Sequence, residues 1–326
     1  MNFDLDDDQK DIQRTAREFL AARYRPEEVR RLALEDARGF TDEQWREMAG
    51  LGWPGLALPE EVGGSGLGMI ELAVVAEELG HALAPTPLQA TWVAGFLLQA
   101  AGETEWLARL ADGSARGAAP VDAGGDALLV PQADAADVLV TADRAIGAGA
   151  FSARPLESLD PTRRMFEVRV TGEGASLPGA IDGGLDRVLV MVAAESVGIA
   201  QRCLEMSVEY AKERKQFDRP IGSFQAVSHQ CAQMLLETEN ARALVYNAAW
   251  ALEHDPQQAP LATAMAKAYA SDAGVRCAEL AIQVHGGIGM TWEHDLHFFL
   301  KRAQWNAHVP RAAGGERARV ADLVGL

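Results

Sequence analysis

Two stretches of the chain carry residues whose types and spacing suit a polar, phosphate-bearing ligand. The first, ERKQFDRPIGSFQ at 213–225, sets Arg214, Gln216, Phe217 and Gln225 around a Pro-Ile-Gly turn. A guanidinium forks onto phosphate oxygens and a helix start offers free amide donors, so a pyrophosphate could be shared between Arg214 and the helix that Gln225 begins. The second, AIQVHGGIGMTWE at 281–293, ends a helix near Gln283 and continues with Gly286 and Gly287, where a ligand can approach the backbone closely. Each stretch has a plainer reading. The first is also compatible with a helix hairpin bearing a solvated basic corner, the second with a helix C-cap and a glycine-rich connection. A lone GGxG is a weak signal, and the pairing of the two stretches is what raises it.

Long helices must position these residues. Apolar or small residues step by three or four through Ala193, Val197, Ala200, Leu204, Val208 and Ala211, then through Val227, Cys231, Met234, Thr238, Ala241 and Val245. A third run carries Ala262, Ala266, Tyr269, Ala273, Cys277, Leu280 and Val284. Breakers separate the runs at Pro220–Gly222, Pro256–Pro260 and Gly286–Gly289. With a fourth helix from about Glu293 to His308, residues 185–326 read as an antiparallel bundle whose helical signal is strong from Asp186 onward.

Residues 1–110 read as a helical domain. Thr41 is an N-cap with Gln44 in the capping-box position, and Gly52 ends that helix. The run LALPEEVGGSGLG at 56–68 cannot continue a helix and reads as a packed loop within the domain, a solvated linker being the alternative. Helix resumes from Ile70 to Leu83 and stops near Pro85. Between 111 and 184 the texture changes to short β-branched runs at 127–130, 138–141 and 166–170, a modest β region. The fold class is therefore mainly α with a small β domain.

The totals exclude several classes of function. A formal charge of −17 argues against nucleic acid or an anionic membrane surface as the main partner, although Arg214, Lys215 and Arg219 leave a local basic spot. Cys203, Cys231 and Cys277 are odd in number and widely spaced, which suggests neither a disulfide framework nor a metal site; all three suit helix cores. The amino terminus is acidic, with no apolar targeting core, and no run is long enough to span a membrane. The protein reads as cytoplasmic.

The ordered set LGW, PEEVGGSGLG, EELG, a short β region, VAAESVGIA, AKERKQFDRPIGSFQAVSHQ and QVHGGIGMTWEHDLHFFLKRA resembles the acyl-CoA dehydrogenase family over nearly the whole chain. The resemblance implies a helical amino-terminal domain, a middle β domain, a carboxy-terminal four-helix bundle, FAD as cofactor and an acyl-CoA thioester oxidised at Cα and Cβ. It assigns Arg214, Gln216, Phe217 and Gln225, with Gln283, Gly286 and Gly287, to the pyrophosphate and adenosine half of an FAD bound mainly by a neighbouring subunit. A homo- or hetero-oligomer follows, with an electron-transfer flavoprotein or equivalent as acceptor.

The chain departs from the family pattern in two places. The stretch KRAQWNAHVPRAAG puts Pro310 near the point where most members carry their catalytic Glu. The alternative location, at the start of the helix before the VG segment, falls near Val188, with Asp186 and Glu195 as substitutes that read equally as ordinary helix charges. Glu293 is a further candidate and reads as a structural acid at a helix start. His294, His297 and His308 read as helix-face residues. The middle region also lacks a TEPxxGSD-like strand for the flavin ring. These departures resemble the smaller subunits of heteromeric actinobacterial-type acyl-CoA dehydrogenases, which act on steroid side-chain thioesters. A catalytically silent FAD-binding scaffold, and an acyl-CoA oxidase-like or nitroalkane oxidase-like flavoenzyme, are the alternatives.

Overall fold

The structure, a computed structural model, describes residues 4–124, 127–177 and 180–326. In chain order the helices are α1 (Asp7–Arg23), α2 (Pro26–Leu34), α3 (Asp42–Gly50), α4 (Met69–Ala82), α5 (Leu88–Ala100), α6 (Glu105–Ala111), α7 (Ala180–Glu213), α8 (Gln225–His254), α9 (Ala259–His285), α10 (Leu296–His308) and α11 (Ala313–Leu323). The strands are β1 (Gly117–Ala118), β2 (Asp122–Gly124), β3 (Ala127–Pro131), β4 (Val138–Val140), β5 (Arg144–Gly147), β6 (Phe151–Leu156), β7 (Met165–Val170), β8 (Ala175–Ser176), β9 (Lys215–Gln216) and β10 (Arg219–Pro220). The mainly α architecture with a small β portion matches the expected fold class.

The chain forms two compact units. One comprises residues 27–72 and 85–188, the other 1–26, 73–84 and 189–326. In the first, two four-stranded sheets run in the orders β1-β4-β5-β8 and β2-β3-β7-β6, antiparallel except for the β1–β4 pair. Ala118, Leu139 and Ile146 from one sheet and Val130, Phe166 and Val168 from the other share one apolar cluster, so the inner faces of the two sheets meet. Thr41 caps α3 as expected, with Gln44 closing the capping box. The 56–68 run is a packed loop: Ser65 and Gly66 donate backbone bonds to Gly55 and Leu58, and a Cβ on Gly64 would lie 2.2 Å from the Leu58 carbonyl.

The second unit is the bundle. The helix expected from Asp186 begins earlier, at Ala180, because the glycines that obscure its start admit another helix: a Cβ on Gly184 would lie 3.0 Å from the Leu97 side chain of α5. The fourth bundle helix begins at Leu296 rather than Glu293, since the glycine run forms a 3-10 turn at Gly286–Met290 followed by a further turn. Helix α11 carries no expectation from the sequence, where Gly314 and Gly315 break the pattern of its first turn.

Helices α4 and α7 of this unit cross with their backbones in contact. A Cβ on Gly198 would fall 1.8 Å from the Glu77 carbonyl, and one on Gly80 would fall 2.1 Å from that of Glu195. Close crossing buries acids. Glu77 is bound by Arg242 and by the Tyr246 hydroxyl at 3.1 Å, and Glu78 by Arg17. Burial pushes the Glu77 carboxyl up despite Arg242. Nearby, burial alone would raise Glu205, but bonds from His81 at 2.7 Å and from Gln201 outweigh it and hold that carboxyl at about 2.

Candidate functional site

At the end of α7 the chain turns back on itself as a two-stranded ribbon, β9 against β10, with Gln216 opposite Arg219. That register leaves Phe217 and Asp218 as a two-residue loop, and both hold left-handed backbone, φ +52° and +62°. Such loops favour Gly or Asn, and a non-glycine residue there costs roughly 1 kcal/mol or more. The loop is nonetheless pinned. Ile221 donates its N–H to the Arg214 carbonyl at 2.8 Å, Gly222 packs on the backbone of Ala211, and the Arg219 guanidinium lies 4.0 Å over the Phe224 ring. Phe217 stands 87% exposed at the tip and touches Phe224 edge-on.

Arg214, Lys215, Gln216 and Gln225 are also exposed. Gln216 donates to the carbonyl of Lys215 at 2.8 Å, which folds its side chain along the ribbon. Phe224, at the N-cap of α8, has no side-chain acceptor for the first-turn amides. A basic loop and an uncapped helix start therefore adjoin each other.

The second stretch lies at the same end of the bundle, because His285 of α9 stacks on Tyr210 of α7 with ring centroids 4.4 Å apart. Gly286 terminates α9 at φ +61° and ψ −137°, a conformation open to glycine and little else. Gly289 is required by packing, since a Cβ there would meet the Ile282 carbonyl at 2.8 Å. Gly286 and Gly287 differ: they are exposed, and a Cβ on either would meet nothing within 4 Å. Gln283 is exposed one turn earlier. Beyond the glycines, Met290 and Trp292 are 75% and 64% exposed.

A cationic loop, a helix start and bare backbone thus lie at one end of the bundle, the kinds of group that can bind phosphate. The proposed ligand-holding residues from both stretches are thus brought to one end of the bundle.

Of the candidate acids, Glu195 and Asp186 are not brought there. Glu195 is fully buried and bonds to Arg302 of α10 at 2.6 Å, with that guanidinium 2% exposed. It is a structural charge in the bundle core, beside Ser196, whose hydroxyl accepts from Asn306, and Lys267, which donates to Ser271 and to the Asn306 carbonyl. Burial lowers Lys267 to about 8 against the pull of Glu316, Asp272 and Glu195. Asp186 is half-buried in the part of α7 that belongs to the other unit. Glu293 sits exposed in the turn before α10.

Pro310 occupies the link between α10 and α11. Beside that link is a cavity of about 310 Å³ lined in part by His308, Ala312 and Gly314. The carboxylate on its wall, Asp272, is held by Arg317 at 2.6 Å. His308 bonds to the Gln304 carbonyl, His297 lies among Trp292 and Phe298, and His294 tilts onto His285 at 4.7 Å. His285 itself is not apparent as a functional residue from sequence, where it looks like the last residue before a C-cap. The aromatic Tyr210, one turn before Arg214, is the signal that could have indicated a ring partner.

Among the described residues no group of His, Cys, Asp and Glu could hold a metal ion, and no helix is long and apolar enough to cross a membrane. Cys203 and Cys277 are buried, as expected of helix-core thiols, whereas Cys231 is only half-buried.

The family models described as acyl-CoA dehydrogenase, N-terminal domain and acyl-CoA dehydrogenase, C-terminal domain match residues 6–117 and 180–318. The acyl-CoA dehydrogenase IpdE2 of Mycobacterium tuberculosis is 40% identical over 296 residues, 89% of each chain. Among solved structures, the ChsE4-ChsE5 complex from Mycobacterium tuberculosis is similar at a TM-score of 0.89 and 25% identity, covering 100% of this chain and 99% of that one. The Tcur3481-Tcur3483 steroid ACAD is similar at 0.88 and 26%, covering 98% of both.

Proposed function

This chain belongs to the acyl-CoA dehydrogenase family, and we propose that it serves as the smaller, FAD-contacting subunit of a heteromeric enzyme that oxidises an acyl-CoA thioester at Cα–Cβ. The observation that carries this reading is the outward-facing cradle, with Pro310 at the place where the family carries its acid. Arg214 and the first turn of α8 would bind pyrophosphate, Gln216, Gln225 and Gln283 would bond the polar edges of the nucleotide, and Gly286 and Gly287 would admit it to the backbone. Phe217 would pack against its apolar surface or the subunit that holds it. Bound there, FAD supplies the hydride acceptor that α,β-dehydrogenation requires.

Two buried or paired carboxylates and the expected acid position do not offer a base. Glu195 is locked to Arg302 and Asp272 to Arg317, while Pro310 has no ionisable group. A full-length homologous subunit would contribute the carboxylate that removes the α-proton, together with the contacts to the flavin ring. The exposed Phe217, Met290 and Trp292 suit an interface with such a partner. The two-protein ChsE4-ChsE5 structure and the steroid ACAD support, by similarity, a mixed assembly and a bulky, steroid-like acyl group. An electron-transfer flavoprotein or an equivalent acceptor would carry the electrons onward.

Co-expression with a full-length homologue tests this directly. The isolated chain is expected to purify without flavin and the mixed complex to purify yellow, with its colour bleached by a bulky acyl-CoA. A flavin-loaded, active homomer of this chain would overturn the proposal.

A further inference from the structure

The ring of His285 lies at the junction of the two stretches. It sits on the last turn of α9, directly before Gly286, and is 5% exposed. Tyr210 of α7 stacks on it at 4.4 Å with the planes 21° apart, and His294 meets it at 4.7 Å from the turn before α10. Its Nδ1 lies 2.8 Å from the carbonyl of Ala281. A carbonyl only accepts, so Nδ1 carries a proton and donates. The glycine turn closes on the same residue: a Cβ on Gly289 would come within 3.1 Å of the His285 Cβ. One side chain thus touches the helix that delivers Arg214, the turn that contains Gly286 and Gly287, and the segment that leads into α10.

We infer that His285 is the positioning residue of the nucleotide cradle, its stacked ring fixing the bare backbone of Gly286–Gly287 at a set distance from the Arg214 loop. The inference rests on the reading of those two stretches as an FAD cradle. Glycines with nothing around them cannot hold a shape by packing, so their geometry is inherited from the residue that anchors the turn. Aromatic contacts of this kind contribute beyond simple burial. The nucleotide need not touch His285 for the residue to govern its binding.

The arrangement also depends on the charge of the ring. The ionisable groups in ring contact with His285 are Tyr210 from α7 and His294 from the α10 connection, and the glycine turn 286–290 contributes none. Burial lowers the His285 pKa, the Ala281 carbonyl partly opposes this, and His294 lowers it further. Acid therefore places a charge on a buried ring beside a second imidazole, and the cradle should loosen as the ring protonates.

The test uses two measurements on His285→Ala, His285→Phe and Tyr210→Leu. Amide exchange at 286–290 is read on the isolated chain, and FAD affinity on the deflavinated mixed complex near pH 7.5 and near pH 5.5. His285→Ala is expected to speed exchange at 286–290 and weaken FAD about tenfold. Tyr210→Leu, which leaves α9 intact, should do the same even if the alanine variant folds poorly. His285→Phe keeps the stack and should restore slow exchange and most of the affinity, with a smaller loss of binding in acid than the wild type. Wild-type exchange and affinity in both Tyr210→Leu and His285→Ala would overturn the positioning role. So would a well-folded His285→Phe as weak as the alanine variant. A wild-type complex that takes up no FAD would instead fail the cofactor reading, and the exchange data would still decide whether His285 holds the turn.

Discussion

Two sets of glycines in the bundle unit do opposite work. At the α4–α7 crossing, Gly80 and Gly198 are filled by their neighbours, with the opposing backbone 2.1 and 1.8 Å from where a Cβ would stand. At the cradle, Gly286 and Gly287 face open space. The left-handed backbone of Gly286 explains its own identity, but Gly287 has neither that conformation nor a neighbour to avoid. Interior glycines are thus explained by the chain itself, whereas nothing inside the chain requires Gly287, as the proposed cradle would expect. The same division runs through the charges. Glu195 and Arg302 satisfy each other in the core, while Arg214 and Lys215 face solvent.

Substitutions moving from core to rim should therefore trade stability effects for binding effects. Glu195→Gln leaves the buried Arg302 charge without its carboxylate and is expected to cost about 3 kcal/mol in urea unfolding, among the largest effects on the interior side. A loss under about 1 kcal/mol would mean that water reaches that guanidinium and that the core is less closed than described. Gly198→Ala should follow, at about 3 kcal/mol, because a backbone carbonyl must move to admit the methyl group. If Gly198→Ala folds as well as the wild type, the crossing is looser than its geometry and the contrast between the two glycine sets fails.

Acid should erode a smaller share of stability through Glu205. Its folded pKa, about 2, lies below the unfolded carboxylate value, so its contribution is complete above about pH 4.5 and disappears as pH falls toward 2. Partial exposure limits that contribution to about 2 kcal/mol, and Glu205→Gln should flatten the acid limb of the stability curve by that amount. At the rim, Gly287→Ala is expected to change stability by less than about 0.5 kcal/mol. Its effect should appear instead as weaker FAD retention in the mixed complex, measured by flavin fluorescence after gel filtration. A Gly287→Ala complex that retains flavin fully would remove the cradle's strongest distinguishing mark.

Much of the scaffold was legible because periodicity and capping are local. Thr41 with Gln44, the stepping of Ala193 to Ala211 and the breakers at Pro220 and Pro256 each depend on near neighbours in sequence. The Asp6–Gln9 capping box of α1 is equally local, in a stretch dominated by acidic residues. What periodicity cannot convey is which polar residues meet across helices. Glu195 and Arg302 are far apart in sequence, and a buried pair looks on the page like two surface charges. The Tyr210–His285 contact was hidden for the same reason. Helix α11 and the early start of α7 are not legible because glycines interrupt their periodicity, whereas Gly184 admits a neighbouring helix.

The tip of the β9–β10 ribbon has a kinetic consequence. Phe217 and Asp218 already hold a left-handed geometry that a disordered loop would visit rarely, and bonds to Arg214 and packing on Ala211 keep it so. A loop shaped in advance has no search left to make in the proposed assembly. Encounter should then be limited by diffusion and orientation rather than by loop folding, and assembly rates should vary little with temperature beyond the viscosity of water.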